Sequence, residues 1–227
     1  MTPAESGRDL KRRLLLAASY RVFTEKGYHR ARLEEVAKQA GYSKASVYNY
    51  FDDKEDLFLQ TSVMATTECV AALESELEPG RSAIEDIECM LRYLLSDSGQ
   101  LFSFVQAVAE YHGEVSIATI SQADRQKLAK QHRAGLRNIL KTIAKAVESG
   151  KRRREFRCGV DAVVTARFLT GLVRSVLLRW RLDGRRSDAE RELSEIMAFA
   201  RQGMGVLEGP SCTAQADSLT EAEPLLG

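Results

Sequence analysis

Apolar residues along this chain recur at intervals of three and four, the period of a helix buried on one face. Leu15, Ala18, Val22 and Phe23 form the first such stripe, which Gly27 ends. Leu33, Val36, Ala37 and Ala40 form a second over about 32–40, whose other face carries Glu34, Glu35, Lys38 and Gln39. Gly41 stands where a left-handed residue terminates a helix at little steric cost, and Ser43 where a hydroxyl caps the next one. That next helix covers about 44–50, with Val47 and Phe51 as its inward anchors.

Past Lys54 the helical period continues through Leu57, Phe58, Met64 and Val70 toward Leu77, and halts at the breaker Pro79-Gly80. Further helices are predicted over about 82–95, 100–112, 122–148, 160–181 and 187–206. No apolar-polar alternation is sustained, and no Asn-Gly or Asp-Gly pair sits between such runs. The expected fold class is all-α: an N-terminal three-helix helix-turn-helix domain over 10–55 and a larger helical domain over 56–207. A loose N-terminus (1–9) and a small, polar, mildly acidic, disordered tail (208–227) flank them.

Two short helices joined by a glycine turn are the layout of a DNA reader. With Val47 and Phe51 turned inward, Lys44, Ala45, Ser46, Tyr48, Asn49 and Tyr50 are left to face outward or toward the first turn. Small residues let a helix backbone approach the major groove, and Lys44 and Asn49 are equipped for base edges. The phenol hydroxyls, Ser46 and Lys54 suit phosphates, which fix register rather than sequence. The plainer reading is a helical hairpin with solvated polar residues; the packing helix upstream of the pair argues against it.

At this point the chain resembles the N-terminal domain of the tetracycline-repressor (TetR) family of bacterial regulators. The resemblance lies in AASYRVFTEKGY, then LEEVAKQAGYSKASVYNYF, then DKEDLF, in that family's order and spacing, over roughly residues 10–59. It implies that Lys44, Ala45 and Ser46 open the recognition helix, Tyr48 and Tyr50 hold phosphates, Asn49 lies at the groove and Lys54 grips the DNA backbone. With Ser43 and Arg32 these form the candidate DNA-contact set. The family commonly places Thr or Ser before its second helix and a basic residue just inside it, where this chain has Ala31, Arg32 and then Glu34. Arg32 replaces the lost phosphate contact as a charge; Glu34 would repel a phosphate if it pointed at one.

The segment 160–181 is apolar on more than one side, through Val163, Val164, Phe168, Leu169, Leu172, Val173, Val176, Leu177 and Trp180, and so must be buried on more than one side. The following helix offers Leu193, Ile196, Met197, Phe199 and Ala200. Two such helices from each subunit can form an intersubunit four-helix bundle, with Phe168, Gly171, Leu172, Val176, Ile196 and Phe199 as the candidate interface. The alternative is that this helix is merely the core of one subunit. The resemblance implies the same homodimer, matched to a palindromic operator in double-stranded DNA, and a small-molecule pocket in the larger domain. Phe102, Phe104, Tyr111, His112, Phe168 and Trp180 are its candidate walls, equally readable as plain core; Gln106 and Glu110 are polar exceptions on the 100–112 helix. Arg167 and Arg174 hold an anionic ligand, bridge the dimer or face water. The run Lys151 to Arg154 reads as a solvated cluster in a loop.

The formal net charge is +1, which does not advertise nucleic-acid binding, yet residues 1–51 hold ten Lys and Arg against five Asp and Glu. The basic end is the end with the motif. Cys69, Cys89, Cys158 and Cys212 lie far apart, as do His29, His112 and His132, so neither a metal site nor a cofactor is expected. Reduced thiols, no signal peptide and no long apolar window imply a cytoplasmic protein without membrane contact. No nucleophile-base pairing or phosphate-cradling loop argues for an enzyme. Two functional classes remain: a ligand-released dimeric repressor, and an effector-independent or partner-controlled architectural DNA-binding factor.

Overall fold

The computed structural model describes residues 7–96, 123–157, 159–184 and 188–205. Among them are α1 (Gly7–Arg30), α2 (Leu33–Ala40), α3 (Lys44–Tyr48), α4 (Lys54–Ser75), α5 (Ala83–Leu95), α6 (Ala123–Arg152), α7 (Ala162–Asp183) and α8 (Ala189–Met204), and no strand. The expected helix over 100–112 and the tail lie outside the described residues. α1 packs on α2 and α4, and α4 continues into a bundle where it lies against α6; α6 meets α5 and α7, and α8 closes on α5 and α7.

Local chemistry sets the boundaries of the first four helices. α1 contains a break at Gly27 (φ 72°) and resumes for one turn. It begins at Gly7, so residues 7–9, expected to be loose, are helical, with Asp9 placed favourably in the first turn. The Glu35 carboxylate accepts from the Arg32 backbone N–H at 3.2 Å at the start of α2. Gly41 (φ 76°) ends it in the left-handed region, where a Cβ would be strained, and the Tyr42 N–H returns to the Ala37 carbonyl at 2.9 Å. The Ser43 hydroxyl caps α3 by accepting from the Ser46 N–H at 3.2 Å. α3 stops at Tyr48 rather than Tyr50, because the N–H groups of Tyr50 and Phe51 both converge on the Val47 carbonyl, at 3.0 and 3.1 Å. That tight turn drives Phe51 into the core.

A second departure concerns the basic run at 151–154. α6 extends through Lys151 and Arg152, and only Arg153 and Arg154 form the turn. Arg152, Arg153 and Arg154 are exposed, as expected of a solvated cluster, while two of the four residues are also paired: Lys151 with Glu148 at 3.1 Å and Arg153 with Glu155 at 2.9 Å, and the Arg153 guanidinium donates to the Arg81 carbonyl at 2.6 Å. Glu155 in turn accepts from the Ala83 N–H at the start of α5, at 2.6 Å. Burial pushes the Cys69 thiol up to about 12, so it stays protonated and inert, while Cys89 is half-buried. Among the described residues no group of His, Cys, Asp or Glu converges as a metal site, and no helix is long and apolar enough to cross a membrane.

α4 and α6 approach closely at Gly135, where an added Cβ would overlap the Thr66 side chain. Gly135→Ala should therefore destabilise the fold by about 1–3 kcal/mol, despite the better helix propensity of alanine. Urea unfolding of the two proteins measures it; an unchanged or raised midpoint would show that Thr66 yields without strain.

Candidate nucleic-acid interface

α3 is held from beneath and open from above. Val47 and Phe51 are buried with Val36, Ala37 and Leu33 of α2 and with Leu15, Leu16, Val22 and Phe23 of α1. On the other side Ser43, Lys44, Ala45, Tyr48 and Asn49 are exposed, Tyr48 to 50%, and Ser46 and Tyr50 are half-buried. The Ser43 and Ser46 hydroxyls lie 3.0 Å apart and share a hydrogen bond, so both take part in the cap. Asn49 is the C-cap of α3, its N–H directed at the Val47 carbonyl and its side chain exposed.

Lys54 opens α4, where Asp53 caps the helix by accepting from the Asp56 N–H at 2.9 Å. Its ammonium sits 4.6 Å from the Tyr28 ring centroid and donates to the His29 carbonyl at 3.1 Å. Partial burial lowers its pKa from the ordinary lysine value. An ammonium has three donors, so this internal bond leaves capacity for a phosphate. Arg32 is exposed at the head of α2.

Two basic residues outside the sequence-derived set lie on the same side. The Arg8 guanidinium is 5.9 Å from the Tyr50 ring centroid, and the Lys11 ammonium 5.9 Å from that of Tyr42. The signal for them is the basic spacing of Arg8, Lys11 and Arg12 at the start of α1, which acquires meaning only when tertiary packing brings α1 beside α3. The Lys44 ammonium lies 6.0 Å from the Tyr48 ring centroid and pairs with the Glu34 carboxylate of α2.

The remaining candidate residues are distributed differently. Phe102, Phe104, Gln106, Glu110, Tyr111 and His112 lie outside the described residues. Phe168, expected both as a pocket wall and at a dimer interface, is 65% exposed on the outside of α7 and is no interior wall. With Leu172, Val164, Val160 and, from α8, Phe199 and Ala200, it lines an open apolar groove of about 550 Å³. Phe199 is 63% exposed, and Gly171 has open space where a Cβ would stand. Val176 and Ile196, grouped with these in sequence, instead face inward and are buried in the same chain, as is Trp180. Arg167 and Arg174 are exposed.

A short, externally polar helix set across a glycine turn from a second helix, and packed on a third, defines the DNA-binding helix-turn-helix class. Residues 15–61 match the family model of the bacterial regulatory proteins, tetR family, which places the helix-turn-helix domain in that family. The fatty acid metabolism regulator protein of Bacillus subtilis is 20% identical over 182 residues, 77% of this chain and 85% of that protein. The HTH-type transcriptional activator FasR of Mycolicibacterium smegmatis is 44% identical over 52 residues, 23% of this chain and 24% of that one. Among solved structures, the transcriptional regulator FadR from Bacillus subtilis in complex with stearoyl-CoA matches with a TM-score of 0.62 at 18% identity, covering 84% of this chain and 98% of that one. At that identity the structural likeness carries the fold alone.

Tyr48→Phe removes an exposed hydroxyl without touching the core. For a phosphate-binding phenol it should weaken DNA binding about tenfold or more, since a hydrogen bond to a charged group contributes about 1.5–3 kcal/mol. The salt dependence should stay unchanged, because no charge is lost. Equilibrium titration across a salt series checks this; undiminished affinity would take Tyr48 out of the contact set.

Proposed function

We propose that the protein is a homodimeric transcriptional repressor that reads a palindromic operator with α3 and is released from it by a small-molecule effector. The observation that carries the reading is the exposed face of α3: small, amide and phenolic side chains with Lys44 at its head, flanked by Arg8, Lys11, Arg32 and Lys54, and rigidly backed by Val47 and Phe51. In this reading Lys44 and Asn49 reach base edges, while Ser43, Ser46, Tyr48, Tyr50, Arg32 and Lys54 hold phosphates. The unit then corresponds to residues 10–55 and the effector and dimerisation unit to 56–207, with α4 shared between them.

Dimerisation is supported by the open apolar groove between α7 and α8 and by the large side chains exposed beside it, Val163, Phe168, Leu178, Leu182 and Phe199. An apolar face of this kind is stabilised when a symmetric copy covers it. Two recognition helices would then meet half-sites one helical turn apart, roughly 34 Å. The effector class to test first is a long-chain acyl-CoA, because a relative matched along most of its length is a fatty acid metabolism regulator and a protein of the same fold was solved with stearoyl-CoA. Such a ligand controls DNA binding only through its difference in affinity for the bound and released states.

Selection of genomic fragments by the purified protein should enrich one palindrome, bound by two chains, and acyl-CoA should release it. A salt-sensitive association without an enriched sequence would favour the architectural alternative, and transcription raised rather than lowered at the enriched promoter would overturn the repressor role. Phe199→Glu, at an exposed position that leaves folding intact, should convert the dimer to monomer in sedimentation experiments by placing an unpaired charge in the interface. A variant that remains dimeric moves the interface elsewhere.

A further inference from the structure

The head of α3 is tied to α2 by an ion pair that the function proposed above does not require. Glu34 occupies the first turn of α2 and Lys44 is the first residue of α3, and their side chains meet across the Gly41 turn. The lysine is 49% and the glutamate 55% exposed, so a duplex seated on α3 reaches both. The neighbouring carboxylate, Glu35, is committed to structure: it accepts from the Arg32 N–H and from the Lys26 ammonium at 2.8 Å. Glu34 finds its main partner in Lys44, with a weaker bond to its own backbone N–H, and the Lys44 ammonium lies at the same time beside the Tyr48 ring. The pair holds Glu34 below the usual carboxylate range and Lys44 above the usual lysine range, so both are charged near neutral pH.

We infer that Glu34 is a specificity-determining residue that acts by positioning Lys44, withholding its ammonium from the phosphates of arbitrary DNA so that it engages only where a correct base edge replaces the carboxylate. The inference rests on the reading of α3 as the DNA reader. Affinity for arbitrary sequence comes almost entirely from phosphates neutralised by lysine and arginine. An ammonium already neutralised by Glu34 contributes little to that term, and drawing it to a phosphate leaves a carboxylate beside the polyanion. A base edge in the major groove offers Lys44 acceptors without that repulsion, as guanine does through its O6 and N7. Glu34 therefore lowers arbitrary binding more than operator binding and widens the ratio between them.

The variant Glu34→Gln keeps the size and hydrogen-bonding reach of the side chain and removes its charge. Dissociation constants for the selected operator and for a random-sequence duplex of equal length, each over a salt series, separate the two terms. Glu34→Gln should tighten random-duplex binding about three- to thirtyfold and steepen its salt dependence by about one charge per half-site, with a smaller gain on the operator, so the specificity ratio falls. In a Lys44→Met background the same substitution should have little further effect, because the residue it releases is gone. Equal affinities for Glu34→Gln and wild type on both duplexes would overturn the inference. So would an effect that persists in the Lys44→Met background, which would mean direct repulsion of phosphate, or a changed base preference, which would make Glu34 itself a reader. If the wild-type protein selects no operator, the proposed function is what fails and this inference falls with it; if it selects one and Glu34→Gln behaves as wild type, only this inference fails.

Discussion

A five-residue helix does not hold its own shape in water, because helix nucleation is unfavourable and too few bonds follow to offset it. α3 has that length, so whatever its outer face does depends on Val47 and Phe51 being buried against α1 and α2. Truncating a buried phenylalanine costs about 3–5 kcal/mol, more than the cap at Ser43 supplies, so the tertiary anchor outweighs local propensity here. The two carbonyl bonds that draw Tyr50 and Phe51 back toward Val47 are the local means by which that anchor is set. The outer face is left free to be polar and small because its stability comes from elsewhere.

The same dependence extends into the bundle through α4. Phe58 of α4 meets Phe23 edge-on at 5.0 Å and Tyr28 at 4.8 Å, joining α4 to both parts of α1, and the buried Ser19 and Thr61 hydroxyls bond to each other deeper in the same seam. Lys54, at the start of α4, is fastened to the end of α1 through the His29 carbonyl and the Tyr28 ring. A displacement of α4 therefore moves the support of α3 with it. Coupling of this kind needs an effector to distinguish two arrangements of α4, and the α4–α6 contact at Gly135 and Thr66 is one place where the described bundle leaves that helix no room for an added side chain.

Much of this arrangement is legible in the chain because it is written at short range. Gly41 and Ser43 mark the turn through backbone preference and capping, and the stripe from Leu33 to Ala40 fixes which side of α2 is buried. The end of α3 is not legible, since a helical stripe and a tight turn present the same residues, Val47 and Phe51, inward. The Lys151 to Arg154 run reads as a loop by charge alone, whereas α6 extends through Lys151, which pairs with Glu148, and Arg152, and the turn begins only at Arg153, which pairs with Glu155. On α7 the breadth of apolar residues predicts burial on more than one side, yet within the chain only the face of Ala166, Leu169, Val173, Val176 and Trp180 is buried, and periodicity does not say which side meets its own chain. Val176 and Ile196 turn inward while Phe168 and Phe199 stay outside. The placement of Arg8 and Lys11 beside Tyr50 and Tyr42, and the pairing of Glu34 with Lys44, depend on helices meeting across turns and have no one-dimensional signature.

The central claim is that α3 and its immediate flanks are the surface that meets DNA. Amide hydrogen exchange of the full chain, with and without a selected operator duplex, tests it most directly, because short helices and their caps open locally and exchange measurably in the free protein. Protection on binding should concentrate in residues 43–54 and at the start of α1 around Arg8 and Lys11. A complex that forms with unchanged exchange across 43–54, and with protection confined to α5–α8, would contradict the account.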